Sequence, residues 1–169
     1  MKTYNISIIL LLFALAISAC KTNGDNSEGT DINPEKSQQR NSDFLRYMEN
    51  EETEAKDLES IVRYGKDIFP LLEMTLNAGP SVARLQTYEI QLARQYDAVY
   101  ENSKYDPPYT KEEYVKQYLD KYTTNYKLRA VEVLDNISGG EEILSGYLNK
   151  SVEQEDVVGR YIKEVLEGN

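Results

Sequence analysis

Few side chains in this chain have types that could do chemistry. There is one cysteine, Cys20, and no histidine. A single cysteine cannot form an intramolecular disulfide. Without histidine the chain lacks the usual general base, the Ser-His and Cys-His nucleophile systems and the commonest transition-metal ligand. Carboxylates are plentiful, with 29 Asp and Glu against 19 Lys and Arg. The adjacent pairs Glu112-Glu113, Glu141-Glu142 and Glu155-Asp156 suit the first turns of helices, where acids complement the helix dipole. That explains them better than acid–base catalysis does. No phosphate loop, nucleophile elbow, dinucleotide fingerprint or metal-ligand cluster is present. No enzymatic activity, cofactor or metal is expected.

Tyrosine is the overused residue, with 14 copies and no tryptophan. Tyr114, Tyr118, Tyr122 and Tyr126 recur every four residues. On a helix each step of four turns about 400°, so successive rings drift about 40° around the axis and stay within one broad face. Tyr96, Tyr100, Tyr105 and Tyr109 lie just before them, across a proline turn. These eight tyrosines are the candidate protein-binding residues, because tyrosine is enriched at protein interfaces. The alternative is packing at a bundle margin, with apolar ring bodies covered and hydroxyls in water.

The elements that must position these rings are helices. Residues 20–41 are polar, with Ile32 as their one large apolar residue, and such a segment buries too little surface to offset its ordering entropy. It is predicted to be a disordered tether of about 25 Å end to end. From Ser42 the apolar spacing is helical, with Ser42 or Asp43 as a cap and Phe44, Leu45, Met48, Ala55, Leu58, Ile61, Val62, Ile68 and Phe69 on one stripe. Pro70 should kink or divide that helix around Lys66 to Phe69, and Asn77-Ala78-Gly79-Pro80 should end the next piece and start another. The helix from about Ser81 to Asn102 is expected to turn Val82, Leu85, Leu92, Tyr96 and Val99 inward and Arg84 and Arg94 outward. Asp106-Pro107-Pro108 makes a rigid turn. Thr110-Lys111-Glu112-Glu113 reads as a capping box opening a helix to about Ile137, which Ser138-Gly139-Gly140 ends. Two short amphipathic pieces follow, separated by a second box at Ser151-Val152-Glu153-Gln154. No useful strand pattern appears. The fold class is all-α: a small antiparallel bundle of four to six helices over residues 42–169.

The chain opens Met1-Lys2, runs apolar from Ile6 to Ile17, and reaches Ile17-Ser18-Ala19-Cys20. The apolar run of about a dozen residues is too short for a bilayer core that needs about 20. This leader resembles a bacterial lipoprotein signal peptide (residues 1–19) ending in a lipobox. The resemblance implies cleavage before Cys20 and attachment of a diacylglyceryl group to its sulfur, with an N-acyl chain such as palmitate. Two or more chains suffice for stable anchoring. Leader, Lys21 after the cysteine, polar tether and helical body together resemble the outer surface lipoproteins of spirochaetes of the Borrelia type. That resemblance implies an outer-membrane, cell-surface address and a protein partner from a host or vector. A periplasm-facing lipoprotein supporting an envelope complex shares the same leader. Loss of Lys2 with the leader makes the net charge one unit more negative than the −10 of the whole chain. Such acidity disfavours nucleic acid and anionic head groups, so the membrane partner is reached through the lipid on Cys20. Mass spectrometry of the membrane-extracted protein should find a chain that starts at Cys20 and carries acyl mass, and Cys20→Ala should move it to the soluble fraction. A bare residue 20, or a leader still attached, would remove the anchor.

Overall fold

The computed structural model describes residues 34–50, 55–100, 106–150 and 156–168. Cys20, the leader, Tyr105 and the box at Ser151–Gln154 lie outside them. Among the described residues there is no strand, and seven α-helices pack into an all-α bundle. They are α1 (Pro34–Glu49), α2 (Ala55–Val62), α3 (Phe69–Ala78), α4 (Val82–Tyr100), α5 (Lys111–Asp135), α6 (Gly140–Lys150) and α7 (Val157–Gly168), with a 3₁₀ turn at Gly65–Ile68. The division is finer than four to six because the stretch around Pro70 holds three short elements.

Local signals explain most boundaries. Pro70 sits in the first turn of α3, where its missing amide hydrogen is not needed. Gly79 ends α3 with φ of 71°, a backbone angle that favours glycine. The Ser81 hydroxyl accepts from the Arg84 amide at 3.3 Å and caps α4. Thr110 and Glu113 form the expected capping box: the Glu113 amide donates to the Thr110 hydroxyl at 3.2 Å, and the Thr110 amide donates to the Glu113 carboxylate at 2.8 Å. That backbone bond holds the Glu113 carboxyl below its usual range. Between α5 and α6, a Cβ on Gly140 would collide with the Leu134 carbonyl oxygen, so the chain reverses there only with glycine. Asp156 caps α7 by accepting from the Gly159 amide at 2.6 Å.

The start of α1 differs from expectation. The helix begins at Pro34 rather than after a cap at Ser42 or Asp43, which moves the expected tether boundary back from Asn41. Residues 34–41 carry no large apolar side chain, so apolar periodicity could not reveal them. Polar contacts place them instead. Arg40 donates to the Asp67 carbonyl at 2.8 Å, and Gln39 donates to Asp43 at 3.0 Å. Asp43 is mid-helix and buried. Its carboxylate accepts from the Tyr64 hydroxyl at 2.6 Å and from Arg63 at 3.3 Å, and it pairs with Arg46 at 3.2 Å. The Tyr64 hydrogen bond, more than the arginines, holds its carboxyl below the usual carboxylate range against the opposing effect of burial.

The core is one cluster. α1 supplies Phe44, Tyr47 and Met48; α2 supplies Ile61; Ile68 and α3 supply the next layer with Leu72 and Leu76. α5 adds Tyr126, Ala130, Val131, Val133 and Leu134, and Leu144, Val158 and Ile162 close it from α6 and α7. α5 packs against each of the other six helices. α4 contributes nothing to this cluster; its buried side chain is Leu92, 1% exposed. The expected inner stripe of α4 is therefore corrected. Val82 and Val99 are 71% and 62% exposed, because the main packing partner of α4 is one helix, α5, too narrow to cover the whole stripe. Leu45, Met74, Val157 and Tyr161 are likewise exposed.

Leu134 is fully buried at the centre of this cluster. Leu134→Ala should destabilise the protein by about 3 kcal/mol, within the roughly 2–5 kcal/mol of buried leucine truncations. Val99→Ala should change stability by less than about 0.5 kcal/mol. Urea titration followed by circular dichroism measures both.

Candidate functional site

The tyrosines gather along the seam between α4 and α5. Tyr96 meets Tyr114 with ring centroids 5.5 Å apart, and Tyr88 stacks on Tyr122 at 4.3 Å. As the residue number falls along α4 it rises along α5, so the two helices run antiparallel. Further ring pairs lie along each helix: Tyr96–Tyr100 at 4.8 Å, Tyr114–Tyr118 at 4.6 Å and Tyr122–Tyr126 at 6.0 Å. Edge and offset contacts at these separations contribute about 0.5–1.5 kcal/mol each beyond area burial. The proline-turn end is closed by the Tyr96 hydroxyl, which donates to the Tyr109 carbonyl at 2.8 Å, and by a Lys111–Asp97 pair at 2.6 Å.

The eight candidate tyrosines do not share one fate. Tyr109 and Tyr118 are 49% and 39% exposed and offer ring surface to solvent. Tyr96, Tyr100 and Tyr114 are half-buried. Tyr122 is half-buried and packs on the core, and Tyr126 is 6% exposed within it. Burial pushes the Tyr126 phenol up to about 12, so at neutral pH it is a neutral hydroxyl. The drift of about 40° per four residues carries the ring series from the rim at Tyr114 to the interior at Tyr126. Tyr126 is therefore the described candidate that joins the core cluster, while its ring also lines the groove at the root of the seam. Tyr105 lies outside the described residues.

The seam opens, near the end of α1, into a groove of about 430 Å³. Four tyrosines line it: Tyr88, Tyr118, Tyr122 and Tyr126. On α5 the lining residues Tyr118, Lys121, Tyr122, Asn125 and Arg129 fall at helical spacing on one face. Across from them α4 presents Arg84, Tyr88 and Gln91, and α1 contributes Met48 and Glu49.

Arg84, expected outside, lines the groove with about a third of its side chain still exposed. It pairs with Glu49 at 2.6 Å and donates to the Tyr122 hydroxyl at 3.2 Å. Arg129 donates to the Tyr47 and Met48 carbonyls at 3.2 and 2.9 Å, two of the carbonyls in the last turn of α1. Tyr47 donates its hydroxyl to Glu132 at 3.1 Å, and burial together with that carboxylate raises its own pKa. Arg84, Tyr88 and Gln91 stand at i, i+4 and i+7, and that spacing was the available signal for a polar face opposite the tyrosine series. Among the described residues no group of three or more acidic or sulfur side chains is placed to hold a metal ion.

Comparison with protein-family models, with curated proteins and with solved structures gives no match to this chain. Function must therefore be argued from the site itself.

The α4 seam depends on ring stacking more than on core burial. Tyr88→Ala removes the 4.3 Å stack on Tyr122. Amide exchange in residues 82–100 should then quicken by about three- to tenfold, the equivalent of one aromatic pair, while amides of Val131 to Leu134 keep their protection. An equal loss of protection in both regions would make the seam and the core one cooperative unit.

Proposed function

We propose that the chain is a lipid-anchored outer-membrane lipoprotein whose helical body is a surface-exposed protein-binding module for a host or vector partner. The observation that carries this reading is the α4–α5 seam. It sets exposed Tyr109 and Tyr118 beside half-buried rings, outside the apolar cluster that holds the fold together. Rings that the core does not require, on a two-helix platform, have the composition of an interface.

Cys20 behind Ser18-Ala19 supports the anchor. Among the described residues no helix is long and apolar enough to cross a membrane, so attachment in this reading goes through the lipid. The acidic balance of the chain, −10 overall, keeps the body off a negative membrane surface and free to meet a partner.

Protease shaving of intact cells tests the address. The body should be digested from outside while a periplasmic marker survives. Full protection would favour a periplasm-facing protein of an envelope complex. Tyr109→Ala together with Tyr118→Ala should then cut capture of the partner by about tenfold or more, the effect of losing interface hot spots, with the helical fold retained and the melting temperature lowered by no more than the loss of the one Tyr114–Tyr118 contact. Unchanged capture would remove the seam from the interface.

A further inference from the structure

The groove at the root of the seam differs in charge from the molecule that carries it. Its lining holds three cations, Arg84, Lys121 and Arg129, and one carboxylate, Glu49. The chain as a whole has a net charge of −10. A cationic pocket in an acidic body is a local attractor for anions, and low-dielectric walls focus its field. The walls here are tyrosine rings. The volume of about 430 Å³ falls within the roughly 300–1,000 Å³ of sites that take a small ligand or a few side chains.

The groove also displays the chemistry it accepts. The Glu49 carboxylate sits 2.6 Å from Arg84, with both side chains about one-third exposed. A carboxylate is thus already seated on one of the three cations, and water reaches the pair. An incoming carboxylate can replace it without dismantling a buried ion pair. Arg129 is held in place by the end of α1, and Lys121 stands exposed on the rim of α5.

We infer that this groove binds an acidic segment of a polypeptide partner, with Lys121 and Arg84 taking its carboxylates, the tyrosine walls taking the apolar flank, and Glu49 acting as an internal competitor for Arg84. This rests on the partner-binding reading above and adds to it the chemistry of the partner. Tyr and Arg are the residue types in which interface energy concentrates, and charge complementarity sets which partner is accepted.

The test is an NMR titration of the ¹⁵N-labelled full chain in detergent. The probes are two capped peptides, acetyl-Glu-Phe-Glu-Phe-Glu-amide and its counterpart with Gln at each Glu. The acidic peptide should shift the amides of Lys121, Asn125 and Gln91, and the neutral one should bind at least about fivefold more weakly, as expected for losing exposed or half-exposed ion pairs. Lys121→Glu should weaken the acidic peptide by about fivefold, and Glu49→Gln should tighten it by about threefold. That opposite sign separates competition from structure, because a merely structural Glu49 would loosen the groove and weaken binding when neutralised. If Glu49→Gln unfolds, Lys121→Glu on the exposed rim still decides. Equal response to both peptides, shifts confined to other regions, or sedimentation showing that a second copy of the chain fills the groove would each overturn the inference. Failure here with partner capture intact sinks the acidic-segment reading alone. Success here in a protein shielded from external protease sinks the surface address alone.

Discussion

The structure depends on one helix having two different halves. α5 is 25 residues long, about 37 Å at 1.5 Å per residue. Its C-terminal half places Ala130, Val131, Val133 and Leu134 in the core, all fully buried. Two adjacent pairs within five residues cannot lie on a narrow stripe, so this half is buried over a broad face and leaves Glu132 and Asp135 exposed on the other, and the other six helices all pack on α5. The N-terminal half has no such run. Between Lys111 and Asn125 none of its side chains is fully covered, and what it presents to α4 is a series of tyrosines. Burial therefore fixes one end of α5 and leaves the other as a platform.

Tyrosine suits that second half for a physical reason. A two-helix seam covers one flank of each helix and leaves the other wet. Leucine there would leave apolar surface exposed on both sides. A tyrosine buries its ring body against the neighbouring ring and keeps its hydroxyl in water or on a carbonyl, as Tyr96 does on Tyr109. Stacking in place of a core costs rigidity, since each contact contributes little alone. The ion pair at Lys111–Asp97 and the capping box at Thr110 hold the far end, where burial is least. The same arrangement leaves ring faces available to another molecule.

What the sequence makes legible follows the range of the interactions. The capping box, the helix break at Pro70 and the stop at Gly79 are local and were readable, because the donor and acceptor or the restricted φ lies within four residues. The core faces of α6 and α7 were readable from apolar spacing at Leu144, Val158 and Ile162. Residues 34–41 and Arg84 were not. Their positions are set by partners far along the chain: Arg40 by the Asp67 carbonyl, Asp43 by Tyr64 and Arg63, Arg84 by Glu49 and Tyr122. Polar residues with distant partners carry no period, so a stripe argument sends them to solvent. The tyrosine series shows the intermediate case. Its existence was plain from spacing, but the division between rim and interior needed the position of the core cluster, which takes in Tyr126 and not Tyr114.

The end of α1 is also what makes the groove a site rather than a gap. The last carbonyls of a helix carry partial negative charge and lack intrahelical donors. Here Arg129 of α5 reaches the Tyr47 and Met48 carbonyls, which draws a cation into the base of the groove. Glu49, the final residue of α1, then reaches Arg84 of α4. One helix terminus thus joins α5 through its carbonyls and α4 through its last side chain, and these charged contacts line the space between the three elements together with Met48 and Tyr126. A gap lined by apolar side chains alone would collapse toward core density. One lined in part by paired, partly hydrated charges stays open to an exchangeable anion, because the desolvation that would lock it shut is never completed.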